Sequence, residues 1–250
     1  MFGSRYGVVW SQLAAVVVLV GGLSGSVLAA DPPKTTVAEE VDEGPDFFAS
    51  VNQDTQNGFF VVVEASLALD DQWSLVPYGV LYASEAFALS DGSGSWTEAG
   101  LWLEYRPAES LSVRGALGVV SGAFLSGSDE ARLAEGIVPS FAFVADPGSL
   151  HFEGFVSWYA GLYSDGPTAS DFVWWGGVAG VSVASYLGVG ALYERIDTRS
   201  AADGDWDLSY HWLGGYLDLN GDVGFMRFAA GYDDANATDS FYRVAFGANY

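Results

Sequence analysis

Two histidines, one serine close to one of them, and a scatter of glutamates and arginines are the side chains of this chain that could do chemistry. His211 lies in "SYHW", two residues after Ser209, so extended backbone would put both on one face. A serine, a base and an orienting group within hydrogen-bond reach could cleave an ester, which keeps a lipid-modifying hydrolase among the alternatives. His151 follows the turn "DPGS" and falls at the opposite end of its segment. "DGDWD" (Asp203, Asp205, Asp207) and "DDANATD" (Asp233, Asp234, Asp239) offer oxygen ligands for divalent cations, but neither has calcium-loop spacing. They read first as solvated acidic loops, with weak divalent-cation bridging as the alternative. No Gly-x-Ser-x-Gly elbow, Walker loop, zinc spacing or dinucleotide fingerprint occurs, and no cofactor is expected.

The charges are more informative by position than by type. Glu64, Glu98, Glu104, Glu153 and Glu194, with Arg114, Arg227 and Arg243, each interrupt a run in which every second residue is apolar. In "GFFVVVEASLAL", Phe59, Val61, Val63, Ala65, Leu67 and Leu69 share a face, opposite Glu64 and Ser66. In "SWTEAGLWLEYR", Leu101, Leu103 and Tyr105 oppose Glu98, Trp102, Glu104 and Arg106. "LSVRGALGVV" sets Leu111, Val113, Leu117 and Val119 against Arg114, and "LHFEGFVSWYAGLY" sets Phe152, Val156 and Trp158 against Glu153, Ser157 and Tyr159.

Repeated along residues 46–250, this grammar gives about 12 strands, with about 10 the alternative, each near the ~9–11 residues that cross a bilayer at a tilt. Short connections ("DDQ", "PAES", "DPGS", "SYLG", "NGD") alternate with connections that are mostly longer and richer in Gly, Ser and Asp, among them "DTQN", "SGAFLSGSDEARLAEG", which precedes the strand "IVPSFAFVA", "DTRSAADGDW" and "DDANATDS". An all-β fold is therefore expected: a transmembrane, antiparallel, up-and-down β-barrel with both termini periplasmic, apolar faces on lipid and the charged set lining the lumen. A soluble all-β fold is the rival. Trp73, Tyr105, Phe152, Trp175, Tyr216 and Tyr232 fall near strand ends, as interfacial girdles would.

The rest of the chain agrees with export. Residues 1–30 carry Arg5, then "GVVWSQLAAVVVLVGGL", then a Val27/Ala29 cleavage pattern before Asp31, which reads as a cleaved signal peptide. A retained transmembrane helix is the rival. Residues 31–45 are acidic and proline-containing and read as a flexible periplasmic lead-in. The chain has no cysteine, which excludes a disulfide framework and a lipidated cysteine. Its 32 Asp and Glu against 9 Lys and Arg make nucleic acid a poor partner.

The signal-like start, the alternation of strands and loops, and the aromatic-ended "YRVAFGANY" resemble the outer-membrane β-barrel proteins of Gram-negative bacteria. The blocks "SWTEAGLWLEYRPAESLSVRGALGVVSGAFLSG" and "EGIVPSFAF" are further similar to a family of small uncharacterised proteobacterial porins. That resemblance implies that Tyr242, Val244, Phe246 and Tyr250 form the recognition signal for the barrel-assembly machinery. It also implies a location in the cell outer membrane, among its lipid and lipopolysaccharide. The expected function is passive diffusion of small solutes with a cation preference, since inward glutamates outnumber inward arginines. A non-conducting structural or surface barrel is the alternative.

Overall fold

A strand that alternates apolar and polar residues has two incompatible faces, and closure of the sheet is the arrangement that separates them completely while pairing every edge. The computed structural model describes residues 45–55, 58–83, 95–128, 130–163, 166, 169–202, 204–235 and 239–249. The signal peptide and lead-in expected over residues 1–45 lie outside these, apart from residue 45.

Twelve strands follow in order: β1 (Asp46–Asp54), β2 (Gly58–Ala68), β3 (Trp73–Ala83), β4 (Ser95–Ala108), β5 (Leu111–Gly122), β6 (Arg132–Ala145), β7 (Leu150–Gly161), β8 (Ser170–Ala184), β9 (Leu187–Ser200), β10 (Trp206–Gly221), β11 (Gly224–Asp233) and β12 (Asp239–Asn249). Each pairs antiparallel with its neighbour in sequence, and β12 returns to β1 from Phe48↔Asn249 to Asp54↔Arg243, closing the barrel. The up-and-down order creates a turn end, carrying the short connections with the start of β1 and the end of β12, and a loop end.

The faces sort as the alternation requires. On β4, Leu101 and Leu103 are 43% and 45% exposed, whereas Glu98 and Glu104 are 5% and 1% exposed. Leu117, Phe141, Val156, Trp158, Leu213, Leu217, Phe228 and Phe246 extend the exposed apolar surface around the barrel. A continuous apolar exterior around a charged interior is the reverse of a water-soluble fold and suits a hydrocarbon solvent. Exposed Trp73 packs at a tilt against Tyr105, centroids 4.6 Å apart, near the turn end, and Trp175 likewise against Tyr193 at 5.1 Å nearer the loop end.

Tyr216 departs from the girdle expectation. It is 6% exposed and points inward, its ring lying over Gly180 and Gly190, where an added Cβ would come within 2.2 and 2.6 Å of it. Tyr78 lies in the same way over Gly100 and Gly118. These glycines leave troughs in the inner wall that admit an aromatic ring.

Several strands also run beyond their apolar patterning. β9 continues to Ser200 and β10 begins at Trp206, shortening the loop expected from "DTRSAADGDW", because the ladder persists through polar pairs such as Thr198↔Asp207. β6 begins at Arg132 rather than near Ile137. A bulge disguises its start: Gly122 pairs with Arg132 and Val120 with Gly136, so three residues of β6 oppose one of β5.

Candidate functional site

Contacts between strands that are not neighbours in the wall must cross the lumen, and such chords identify the interior chemistry. Arg114 on β5 donates through Nη1 to Glu64 on β2 at 3.2 Å, and its Nε lies 3.2 Å from Glu104 Oε1. Glu104 also accepts from Arg106 and, in a very short hydrogen bond, from Ser112. Arg227 on β11 reaches Glu153 on β7 with Nη1 and Nη2 at 2.9 and 2.8 Å, and pairs with Asp218 on β10 at 2.7 and 2.8 Å. Arg243 on β12 bridges Asp54 on β1 and Glu194 on β9. Glu194 accepts a further bond from Tyr210 at 2.6 Å.

Glu98 is held differently. Its two oxygens accept from Tyr78 at 2.6 Å and Tyr159 at 3.0 Å, so phenols rather than an arginine satisfy it. Each of the eight charges read from alternation as inward therefore contacts a partner inside the barrel. The arginine clusters also use ring faces: Arg227 lies 4.8 Å from the Tyr216 centroid and Arg243 5.2 Å from that of Trp212.

The charged layer borders an open vestibule at the turn end. This cavity has a volume of about 990 Å³, and its wall includes Glu64, Arg106, Arg114, Glu153, Asp218 and Arg227. At its rim His151 stands between Asp146 and Glu153, at 2.5 and 2.6 Å from its two ring nitrogens.

Toward the loop end the lumen turns apolar. Tyr82 stacks on Phe60 and Trp96, Trp96 on Phe124, and Tyr159 on Phe172 at 4.1 Å. Val120, Leu125, Val138, Tyr159 and Phe172 form one buried cluster; Leu192, Tyr210, Trp212, Tyr216, Ala229 and Phe241 form another. Ile196 packs against both, so apolar side chains span the interior beyond the vestibule, with the Arg243–Asp54–Glu194 ion pairs set among them.

Ser209 and His211 do not meet. Ser209 pairs with Thr198 at 2.5 Å, and His211 lies 3.5 Å from Asp234. A register irregularity between Leu208 and Tyr210 breaks the alternation that would have given Ser209 and His211 a common face. Among the described residues no group of three or more His, Asp or Glu is arranged to hold a metal. Asp203 lies outside them, as does Tyr250, while Tyr242 and Phe246 are exposed on the outer face.

Alternation alone did not single out Asp54, Asp218, Tyr78, Glu135 or Leu125. Asp218 had a signal, since it alternates with Leu217 and Leu219. Asp54 fell in the expected connection "DTQN", and Glu135 and Leu125 fell in the expected loop "SGAFLSGSDEARLAEG".

The barrel matches solved structures titled "KdgM porin" and "KdgM porin in complex with disordered oligogalacturonate", each at 12% identity with a TM-score of 0.50, covering 81% of this chain and 99% of the other. It also matches "NanC porin structure in rhombohedral crystal form" at 9% identity and a TM-score of 0.50, covering 82% of this chain and 98% of the other. These likenesses establish a porin-type outer-membrane barrel fold. No curated protein sequence matches the chain. A sequence-family match extends over residues 17–250, and the chain belongs to the family described as "Family of unknown function (DUF6733)".

Proposed function

We propose that this protein is a porin-like channel of the outer membrane for small solutes, closed at its loop end in the present conformation, with the turn end facing the periplasm. The observation that carries this reading is the charge-lined vestibule of about 990 Å³, which enters the lumen from the turn end and stops at packed side chains and a loop. Strand pairing does not form that barrier, so side-chain and loop movements can open it while the wall stays intact. Cations are the favoured solutes, because Asp46, Glu64, Asp146, Glu153 and Asp218 outnumber Arg106, Arg114 and Arg227 on the vestibule wall even when His151, which stands between two of these carboxylates, is counted as a cation. The likeness of the barrel to the KdgM and NanC porin structures agrees with this reading.

A second reading, a non-conducting structural barrel, is favoured by the apolar layer that Ile196 makes continuous. Planar-bilayer recordings separate the two. The channel reading expects small, brief openings from the wild type and larger ones from Trp96→Ala. Silence from both, with the barrel still heat-modifiable on gels, would establish the structural reading instead.

A further inference from the structure

The connection between β5 and β6 does not stay outside the barrel. Leu125 and Ser126 are fully buried, and Leu125 packs among Val120, Val138, Tyr159 and Phe172. Its Cδ1 occupies space that a side chain at position 136 would need, lying 2.3 Å from where a Cβ on Gly136 would stand. The segment therefore puts a leucine into the apolar layer that closes the lumen.

One carboxylate anchors it. Glu135 is fully buried and accepts three hydrogen bonds, all from this segment: Phe124 N at 3.0 Å, Ser126 N at 3.2 Å and Ser126 Oγ at 3.0 Å. Among the described residues no cation pairs with it. A buried carboxylate that has left water without a counter-ion depends on such donors, and these donors are present only while the loop is folded inward. The backbone is bent to permit this. Alternation from Leu133, which is 87% exposed, would turn Glu135 outward as well, but the bulge and Ala134, with φ at +54°, rotate it into the barrel. A non-glycine residue in the left-handed region, next to a buried carboxylate, marks a conformation held by what Glu135 grips. Gly122 and Gly127, at φ +154° and +59°, lie at the two ends of the segment.

We propose that residues 123–127 form a latch that closes the lumen from the loop end, and that Glu135 is the positioning residue that holds it shut. Two backbone hydrogen bonds hold the latch from the side: Ser170 N, at the start of β8, donates to Leu125 O at 2.9 Å and Gly166 N to Ser126 O at 3.2 Å. Opening withdraws Leu125 and exposes Val138 beneath it. The conduction consequence rests on the channel reading above, but the latch itself does not.

The absence of cysteine makes a clean test available. Val138→Cys places a single thiol in the sealed cluster of the full-length, folded barrel. Its reaction with a membrane-impermeant maleimide should be slow, and should become roughly tenfold faster or more when Glu135→Gln is added, since charge-assisted bonds are lost. Ser126→Ala, which removes the hydroxyl donor and spares the carboxylate, should give a smaller acceleration, and it serves if Glu135→Gln fails to fold. Asp197→Asn, which breaks an ion pair outside this cluster, should leave the rate unchanged. Equal rates with and without the Glu135 and Ser126 changes, or equal acceleration by Asp197→Asn, would overturn the latch. Faster labelling without added conductance keeps the latch and removes the channel reading. Conductance with unchanged labelling does the reverse.

Discussion

Arg243 on β12 spans the lumen to Glu194 on β9, its Nη1 and Nη2 donating at 2.7 and 2.8 Å, with β10 and β11 between them in the wall. Arg243 also pairs with Asp54, so one guanidinium serves two carboxylates that are almost fully buried. Removing it leaves both in the interior without a counter-charge. Arg243→Met is therefore expected to cost about 3–5 kcal/mol of barrel stability, the range for breaking a buried pair. Adding Glu194→Gln to Arg243→Met should recover part of that loss, since it removes one stranded charge. Urea unfolding in micelles, followed by tryptophan fluorescence, measures both. Equal midpoints for single and double variants would mean that Glu194 and Arg243 are not energetically coupled.

That ion pair also marks how far the sequence could be read. Alternation placed Glu194 and Arg243 on the inner face because a charge among apolar neighbours has one tolerable side in a lipid-solvated sheet. It could not pair them, since a chord across β10 and β11 depends on barrel closure and stagger, which sequence periodicity does not contain. Tyr216 was misplaced for a related reason: aromatic residues suit both a membrane interface and an inner glycine trough, and only the positions of Gly180 and Gly190 on neighbouring strands decide between them. Glu135 was hidden by the bulge, which breaks the period of two that the reading relied on.

The outer belt predicts a depth-dependent penalty. Leu101 lies within the exposed apolar surface of β4, whereas Leu69 lies in the turn after β2. Leu101→Arg should destabilise the barrel in lipid vesicles by about 2–4 kcal/mol and Leu69→Arg by about 0–1 kcal/mol. Equal, small effects would show that this surface does not face hydrocarbon.

The glycine trough beneath Tyr78 makes a coupling prediction. A Cβ at position 118 would lie 2.4 Å from Tyr78 Oη and 3.0 Å from Glu98 Oε1, so Gly118→Ala should displace the phenol and break its bond to Glu98. Tyr78→Phe deletes both the obstructing oxygen and the donor. The double variant should therefore lose less stability than the sum of the single losses, by about 1 kcal/mol or more. Strict additivity would mean that the ring moves aside without losing its bond.

The proposed orientation, with the turn end periplasmic, can be tested directly. An epitope inserted near Ala202, between β9 and β10, should bind antibody on intact cells, and one near Asp71, between β2 and β3, should bind only after permeabilisation. The reverse pattern would place the vestibule mouth at the cell exterior.

Selectivity is the prediction that reaches furthest into function. The vestibule wall is acidic on balance, but most of its carboxylates are engaged by arginine: Glu64 by Arg114, and Glu153 and Asp218 by Arg227. The residual field should favour cations modestly, and reversal potentials under a salt gradient should carry the cation sign. The arginines limit the preference, so Arg114→Gln should strengthen it by freeing Glu64, while Glu64→Gln should weaken it. Both changes should fade as salt rises, because the Debye length falls from ~10 Å at 0.1 M to ~3 Å at 1 M. An anion-selective wild type that loses its preference in Arg114→Gln would mean that the guanidinium, rather than the surplus of carboxylates, sets the potential along the path.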